Sequence, residues 1–367
     1  MRARIAKKDI LPVLMRTAGI ADRKSVVPIL SHVLMDFSES KLLIKATDLD
    51  HSLIEEIPAD VDTFGAIAVP ASTLSDIVRK APEGAIIEFS LMDKGSKLLV
   101  VAGKSKFEIS ALDPSDFPKI SPINNSFCFS MKSGDLNKLI SRTRFSMSPE
   151  ENRHNLNGIY LHKDDEKLKA ASTDGHRLSV SETPTDTKEN IQGVIISKKM
   201  VFDLKKFLDV CQGEVVITFN ANQIQFTLGN VVFISKLVDG KFPEYKRVIP
   251  EMSGDFFIIN RASFTEIVDR VSVISDDKVK SVKLELTKNN LSCTAVSGKI
   301  GNGRDEVDVI YTGQEWKGGF NASYLLDIAQ TLQGEKLKIY VKESLSPILI
   351  TDESEPESMF VVMPMRI

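Results

Sequence analysis

The chain has 367 residues, of which 42% are hydrophobic and 26% charged, and its formal net charge is −3. This composition predicts a globular protein of two or three domains and excludes a disordered chain or a uniformly basic, histone-like one. The three cysteines are too sparse for a disulfide framework, so we expect free thiols in a reducing compartment. No secretory signal or membrane-spanning run is visible, which predicts a cytoplasmic protein.

Three segments of the chain share one pattern, in which an amphipathic helix follows a short polar entry and a strand comes next. They begin at Val69, Ile196 and Phe320, so each copy starts about 125 residues after the previous one. The motif Asp116-Phe-Pro-Lys-Ile returns with the same spacing as Lys241-Phe-Pro-Glu-Tyr. Independent features with one period predict three tandem domains of similar structure. We place them at 1–125, 126–253 and 254–367.

Each predicted domain begins with a helix and continues as hairpins. The leading helices are predicted at Ile5–Ala18, Asp135–Arg144 and Arg261–Val271. Polar residues with good turn chemistry form the predicted hairpin tips, which are Glu39–Ser40, Asp164–Asp165 and Asn289–Asn290. Alternation such as that in Lys106-Phe-Glu-Ile is typical of half-buried antiparallel strands. The predicted fold class is therefore α+β, with two helices and about eight short strands in each domain.

The sequence contains no recognised catalytic motif. The five histidines lack metal-binding spacing, and neither a Walker-type phosphate loop nor a Gly-x-Ser-x-Gly nucleophile elbow occurs. We therefore expect no metal, no cofactor and no enzymatic activity. The alternative is a multidomain enzyme with a site assembled from scattered residues such as Asp174, His176 and Arg177.

Positive charge is concentrated in the predicted helices, although the whole chain is net negative. One helix carries Lys198, Lys199, Lys205 and Lys206. Such segregation suits a polyanion that lies along the helices, with lysine and arginine at its phosphates. No aromatic residues are interleaved for base stacking, which favours duplex over single-stranded nucleic acid. A Lys-rich solvated face is the alternative that the charges alone leave open.

Four segments together resemble one known family. They are Ala171-Ser-Thr-Asp-Gly-His-Arg-Leu-Ser-Val, Leu237-Val-Asp-Gly-Lys-Phe-Pro-Glu-Tyr-Lys-Arg-Val-Ile-Pro, Gly319-Phe-Asn-Ala-Ser-Tyr-Leu-Leu-Asp and Val361-Val-Met-Pro-Met-Arg-Ile. In order and spacing, and over the whole chain, they resemble the bacterial DNA polymerase sliding clamps, the β subunits of the replicase. The resemblance implies a non-catalytic processivity subunit that forms a head-to-tail homodimeric ring around duplex DNA. Helices about 10 Å wide would line a hole near 28 Å across, with the sheets outside.

The resemblance also implies a hydrophobic groove that binds short peptide motifs. Its residues would be Leu156, Thr173, Gly175, His176, Arg177, Leu178, Pro243, Val248, Val361, Val362, Met363, Pro364, Met365 and Arg366. The implied partners are the polymerase catalytic subunit, other polymerases and repair proteins with Gln-Leu-x-Leu-Phe-like motifs, and an ATP-dependent clamp loader, with no membrane. Without the resemblance, Met363-Pro-Met would suit a core-filling edge strand and His176 a hydrogen-bonded turn.

Two further residue sets follow from the helix charges and the resemblance. The residues that contact DNA would be Lys24, Arg79, Lys80, Arg142, Arg153, Lys198, Lys199, Lys205 and Lys206. The dimer seam would join Lys104, Lys106, Phe107 and Ile109 to Val273, Ile274, Asp305, Glu306 and Asp308. Alternatively, Phe107 and Ile109 lie wholly inside the first domain. The chain departs from the family pattern at His154–Asn155, where well-known members carry two adjacent aromatic residues. A third functional hypothesis is a peptide-binding scaffold of the same ancestry that does not bind DNA.

Overall fold

The computed structural model describes residues 1–121, 123–124, 126–188, 191, 193–252, 254–275 and 280–366, without the side chain of Lys94. The predicted boundary residues Asn125 and Ser253 lie outside these ranges. Within the described ranges, three tandem repeats each contain two α-helices and eight or nine strands, and all strand pairs of the four sheets are antiparallel. The predicted α+β class is confirmed.

The elements of each repeat are as follows. The first repeat contains β1 (Arg2–Ala6), α1 (Lys7–Ile20), β2 (His32–Ser38), β3 (Lys41–Thr47), β4 (His51–Pro58), β5 (Asp60–Thr63), β6 (Gly65–Pro70), α2 (Ala71–Lys80), β7 (Ile86–Met92), β8 (Lys97–Ala102) and β9 (Ser105–Ser110). The second contains β10 (Phe127–Lys132), α3 (Ser133–Thr143), β11 (Gly158–Asp164), β12 (Lys167–Thr173), β13 (Arg177–Pro184), β14 (Val194–Ser197), α4 (Lys198–Leu208), β15 (Glu214–Phe219), β16 (Gln223–Leu228) and β17 (Val231–Lys236). The third contains β18 (Phe256–Asn260), α5 (Arg261–Ser272), β19 (Ser281–Thr287), β20 (Asn290–Ser297), β21 (Gly301–Asp308), β22 (Trp316–Asn321), α6 (Ala322–Thr331), β23 (Lys336–Tyr340), β24 (Ile348–Asp352) and β25 (Ser358–Val362).

The leading helices begin in the same way in all three repeats. The first backbone N–H of each helix donates to a carbonyl just before a later strand, at 2.8 Å in every case. The three pairs are Lys7 with Ala85, Ser133 with Gly213 and Arg261 with Glu335. Because the first N–H groups of a helix have no partner inside it, these bonds satisfy a donor and fix the helix against its repeat. The repeat read from the sequence is therefore also a repeat of tertiary structure.

The predicted hairpin turns are present, but two of them lie one residue away from the predicted tips, because Asp164 is the last residue of β11 and Asn290 the first of β20. Glu39 and Ser40 have φ of 34° and 64° between β2 and β3, while Asp165 and Asn289 have φ of 53° and 56° in the equivalent turns. Asn and Asp tolerate this left-handed region better than most residues do, since their short side chains bond locally.

Two eight-stranded sheets join neighbouring repeats. Their strand orders are β10-β15-β16-β17-β4-β3-β2-β6 and β14-β11-β12-β13-β25-β24-β23-β18. In each sheet, the last strand of one repeat pairs with the fourth strand of the repeat before it, as β17 with β4 and β25 with β13. The other sheets have the orders β5-β1-β7-β8-β9 and β21-β20-β19-β22, so that β9 and β21 are edge strands.

The chain forms two compact units, which are 1–134 with 202–237 and 135–201 with 238–367. The division passes through the second repeat, because each eight-stranded sheet lies entirely within one unit. The proposed three-domain division thus follows the sequence repeat, whereas each of the two compact units contains one junction between repeats.

Arginines at equivalent helix positions support both junctions; Arg142 is buried and Arg16 half-buried. In α1, Arg16 donates two hydrogen bonds to Glu55, at 2.9 and 2.5 Å. In α3, Arg142 donates to both carboxylate oxygens of Glu355, at 2.6 and 2.7 Å, and to the carbonyl of Thr331. Removing one partner of such a buried pair typically costs about 3–5 kcal/mol. The assignment of Arg142 to DNA contact is corrected, because its guanidinium is enclosed by these partners and does not face solvent.

Within the described residues, no helix has both the length and the apolar character needed to cross a membrane.

Candidate functional site

The segment Thr173–Arg177 forms a tight turn between β12 and β13. The Thr173 hydroxyl donates to the Arg177 carbonyl at 2.6 Å and accepts from Gly175 N–H at 3.0 Å. The Asp174 carboxylate accepts from the N–H groups of His176 and Arg177 at 2.9 and 3.0 Å. Gly175 has φ of 90°, a conformation that glycine adopts without strain. The sequence Thr-Asp-Gly-His-Arg therefore encodes this turn locally.

The Arg177 side chain attaches the turn to the third repeat. Its guanidinium donates to Asp174 at 3.1 Å, to Asp327 of α6 at 2.6 Å and to the carbonyl of Phe145 at 2.6 Å. It also lies 4.4 Å from the ring centroid of Tyr324. Arg177 was expected to provide polar contacts at the groove rim, but the structure shows a mostly buried side chain that positions the turn. The same contacts engage both Asp174 and Arg177 in holding the turn.

The C-terminal segment is bound to this turn. Met363 N–H donates to the His176 carbonyl at 2.9 Å, and Met365 N–H donates to the Gly319 carbonyl at 2.8 Å. Val361 and Val362 are fully buried in β25, which is an inner strand of its sheet, whereas Met363 follows the strand and its side chain is exposed. The interpretation of Met363-Pro-Met as a core-filling edge strand is therefore wrong. The segment thus changes from core to surface at Met363, beside His176.

An apolar cluster lies beneath the turn and the C-terminal segment. Its buried members are Ala171, Leu178, Val180, Ile195, Phe242, Tyr245, Leu349 and Val361, with Leu156 half-buried against them. The rings of Tyr160 and Phe242 stack with centroids 4.8 Å apart and planes 4° apart. His162 stacks on Tyr160 at 4.8 Å and shares a 2.8 Å hydrogen bond with the Tyr245 hydroxyl. Of the residues expected in the groove, Leu178 and Val361 are therefore buried within this cluster, while Pro243 is exposed.

A cleft of about 320 Å³ opens beside this cluster. Val248 and Met363 line it, as expected for the groove, together with Tyr340, Lys342 and Pro347 from the third repeat. These last three residues are not among those expected from the sequence. They lie at the end of β23 and in the connection to β24, where no motif distinguishes them and only the pairing of β24 with β25 brings them to Met363.

The loop before β11 contacts both the Thr173–Arg177 turn and the segment that contains Lys241. Arg153 donates to the Asp174 carbonyl at 3.2 Å and pairs with Glu150 at 2.9 Å. Asn155 donates to the Lys241 carbonyl at 2.9 Å. An amide hydrogen bond is therefore present at one of the two positions where the family pattern has aromatic residues.

The predicted DNA-binding residues differ in exposure. Lys24, Arg79, Lys80, Arg153 and Lys206 are exposed, while Lys198, Lys199 and Lys205 are half-buried. Three of them form ion pairs with acidic residues on or directly after their own helix: Arg79 with Asp76, Lys205 with Asp209 and Lys206 with Asp203. Within the described part of the chain, no group of three or more His, Cys, Asp or Glu side chains is placed to hold a metal ion.

The residues predicted for the dimer seam lie on or next to the edge strands β9 and β21 and directly after α5. In β9, Phe107 is exposed, whereas Ile109 is buried inside the first repeat. Val273 is exposed beside the half-buried Ile274. In β21, Asp305 accepts from Arg270 at 2.8 Å, and Arg270 lowers the pKa of Asp305.

Comparisons with known proteins agree over the full chain. Sequence models of the DNA polymerase III beta subunit match as its N-terminal domain at residues 1–121, its central domain at 130–244 and its C-terminal domain at 246–366. The beta sliding clamp of Caulobacter vibrioides is 34% identical over 372 residues, and that of Escherichia coli K12 is 31% identical over 368 residues. Both alignments cover 100% of both chains.

Solved structures of the same kind superpose closely. A DnaN sliding clamp from Bartonella birtlesii bound to griselimycin has a TM-score of 0.96 and 38% identity. One from Pseudomonas aeruginosa, also bound to griselimycin, has a TM-score of 0.96 and 33% identity. Each comparison covers 100% of both chains.

We predict that acid destabilises the fold through His162. Burial is the main reason that the pKa of His162 lies below its usual value, with Lys246 and Lys169 acting in the same direction, while a backbone hydrogen bond and Asp164 oppose it. The unfolded chain then binds more protons, so stability falls as pH drops below about 6.5. Thermal unfolding from about pH 8 to about pH 5 should show this decrease.

The control is His162→Gln, which can still bond the Tyr245 hydroxyl but does not titrate. The stability of this variant should fall less steeply with decreasing pH than the stability of the unmodified chain. Part of the decrease should remain in both proteins, because His32 also has a lowered pKa. Equal pH dependence of the two proteins would contradict the prediction.

Proposed function

Because this chain belongs to the DNA polymerase III beta-subunit family of sliding clamps, we propose that two copies form a ring that encircles duplex DNA and tethers a polymerase to it. In this proposal, the three domains at 1–125, 126–253 and 254–367 give six per ring. The observation that carries the tethering function is the joint between the Thr173–Arg177 turn and the C-terminal segment, with an open cleft beside it.

The proposed groove accepts a short peptide with leucine and phenylalanine side chains. Val248, Tyr340 and Pro347 offer apolar walls, and Met363 is a flexible side chain that adapts to different occupants. The exposed His176 ring is available for polar contact at the rim. Such a groove suits the polymerase catalytic subunit and other polymerases and repair proteins that carry Gln-Leu-x-Leu-Phe-like motifs.

The strand pairing inside the chain supports ring closure by a second copy. Three repeats have two internal junctions, and these pair β17 with β4 and β25 with β13. The last strand of the first repeat, β9, and the fourth strand of the third repeat, β21, remain at sheet edges. A head-to-tail copy supplies a partner for each edge, and such a contact closes when its rotation completes a ring.

The internal junctions also supply the register of the proposed seam. The third residue of each last strand is a phenylalanine: Phe233 and Phe360 are 2% and 0% exposed at the internal junctions, whereas Phe107 is 40% exposed. Phe233 and Phe360 each lie opposite the third residue of the fourth strand in the preceding repeat. The same register places Phe107 opposite Gly303, next to Ile274 and the exposed Val273.

Charge complementarity supports the same seam. The transferred register places Lys104 opposite Glu306 and Ser105 opposite Asp305. The same register places Lys106 opposite Arg304, a like-charged pair in which Arg304 is already bound to Glu306 at 2.7 Å, and Asp308 continues the acidic edge of β21. Oppositely charged edges favour this pairing over the pairing of identical edges.

For DNA, we propose loose contact with phosphates by the exposed basic residues of α2 and α4 and by Lys24 and Arg153. A ring of twelve helices about 10 Å wide would enclose a hole near 28 Å across. Retention is then topological, so weak contacts suffice and the ring slides without sequence preference. Loading onto DNA in the cytoplasm requires opening of the ring, which we assign to an ATP-dependent clamp loader.

A labelled Gln-Leu-x-Leu-Phe peptide should bind the intact chain with a Kd on the order of micromolar. A variant that ends at Val362 loses Met363 and should bind at least about tenfold more weakly. Fluorescence polarisation measures both affinities, and circular dichroism checks the fold. A variant that ends at Arg366 is the matched control, because it keeps both backbone bonds of the segment and all predicted groove residues. Absence of binding to the intact chain would refute the groove.

For the seam, Lys104→Glu and Glu306→Lys should each weaken the dimer, and the double variant should recover at least part of the loss. Each single change places like charges opposite each other, at a cost of roughly 0.2–1 kcal/mol for each such pair. Sedimentation equilibrium measures the dimer affinity of the four proteins. Additive losses, with no recovery in the double variant, would exclude this register.

For DNA, the double variant Lys80→Glu with Lys206→Glu should weaken binding to a labelled duplex at low salt. Each lost phosphate contact should reduce the slope of log K against log salt by about 0.9. Lys288→Glu, an exposed charge reversal in the β19–β20 turn, is the control and should change neither slope nor affinity. Equal effects of the double variant and the control on duplex binding would favour a peptide-binding scaffold that does not bind DNA.

A further inference from the structure

The second helix of each repeat carries an aspartate at the same position. It is the sixth residue of α2, α4 and α6, which is Asp76, Asp203 and Asp327 respectively. In the first two helices, a basic residue follows three positions later and pairs with it: Arg79 with Asp76 at 2.6 Å and Lys206 with Asp203 at 3.4 Å. Residues three apart are neighbours on the surface of a helix, so each of these pairs lies within its own helix.

The helix α6 lacks this basic residue. The equivalent position is Gln330, and the helix contains no lysine or arginine. Asp327 instead pairs at 2.6 Å with Arg177, the first residue of β13, which is 150 residues away in the chain. Of the three equivalent aspartates, Asp327 is thus the one that pairs with the turn beside the proposed peptide groove.

The guanidinium of Arg177 is held through all three of its nitrogens. Nε donates to Asp174, Nη1 to Asp327 and Nη2 to the carbonyl of Phe145. The Arg177 side chain is 11% exposed, whereas that of Asp327 is 43% exposed. Tyr324, three residues before Asp327 on α6, has its ring centroid 4.4 Å from Arg177 Cζ. Because a guanidinium is planar and rigid, bonds to three nitrogens fix its orientation as well as its position.

The position of Met363 in the groove depends on the backbone of this turn. Met363 N–H donates to the carbonyl of His176, the residue directly before Arg177. Two residues further on, Met365 N–H donates to the carbonyl of Gly319 in β22, and β22 leads directly into α6. Contacts therefore form a closed loop from α6 through the ion pair to the turn, along the C-terminal segment and back through β22. Loss of the ion pair opens this loop on the side of Met363.

We propose that Asp327 is a positioning residue for the peptide groove, which acts through Arg177 on the His176 carbonyl and thereby on Met363. The inference rests on the proposed function, because it requires that the groove binds a peptide. Among the described residues, those that line the groove cleft do not include Asp327. A change at Asp327 then alters peptide affinity through the residues that it holds.

The test measures the affinity of the full chain for a labelled Gln-Leu-Ser-Leu-Phe peptide by fluorescence polarisation. Asp327→Asn keeps the size of the side chain and removes its charge, and it should weaken binding about threefold to tenfold. Asp327→Glu keeps a carboxylate on the same helix face and should recover most of the affinity. Asp76→Asn is the matched control, because it makes the same change at the same position of α2, and it should bind as the unmodified chain does.

A double-variant cycle shows whether the effect passes through Arg177. Arg177→Met removes the guanidinium, so Asp327→Asn should cause no further loss of affinity in that background. Equal losses in both backgrounds, or an unchanged affinity of Asp327→Asn alone, would overturn the positioning role and leave the groove standing. If Arg177→Met does not fold or binds too weakly to measure, the recovery by Asp327→Glu decides, and its absence overturns the inference. If the unmodified chain does not bind the peptide, the proposed function itself fails, and this inference fails with it.

Discussion

Antiparallel pairing between strands of neighbouring repeats is the interaction on which the rest of this structure depends. Each internal junction merges strands of two repeats into one eight-stranded sheet, so that the backbone groups of both are satisfied by each other. The pairing of β13 with β25 brings the Thr173–Arg177 turn next to the C-terminal segment. The same rule leaves β9 and β21 as unpaired edges. The groove and the proposed dimer seam are thus two consequences of one pairing pattern.

Side chains decide which junction becomes a groove. The turn Thr47–His51 in the first repeat repeats the bonds of Thr173–Arg177: the Thr47 hydroxyl donates to the His51 carbonyl at 2.9 Å, and Asp48 accepts from two backbone N–H groups. The last strand is attached in the same way, with Lys236 N–H bonded to the Asp50 carbonyl at 2.8 Å. Lys236, however, pairs with the Asp50 carboxylate at 2.9 Å, where the second junction has Met363 beside His176. An ion pair covers one copy of the turn, and a methionine leaves the other apolar.

Positive charge likewise has two roles that depend on its position around the helices. Arg16 and Arg142 point into the junctions and hold buried glutamates, which makes them part of the framework. Lys80 and Lys206 lie on exposed helix faces, where a hydrated cation costs little and can exchange between phosphates. The net positive charge of the helices is therefore partly structural.

The sequence alone determined what local patterns encode: the period, the helix positions to within about two residues, the hairpin tips with their left-handed residues, and the Thr-Asp-Gly-His-Arg turn. Only the tertiary structure decided the environment of each side chain. It buried Arg142 against Glu355, turned Arg177 from the rim toward Asp327, and placed Tyr340 and Lys342 beside Met363. Periodicity shows which face of an element is apolar, but not which distant element covers a polar residue. That depends on strand pairs far apart in the chain, which no local pattern specifies.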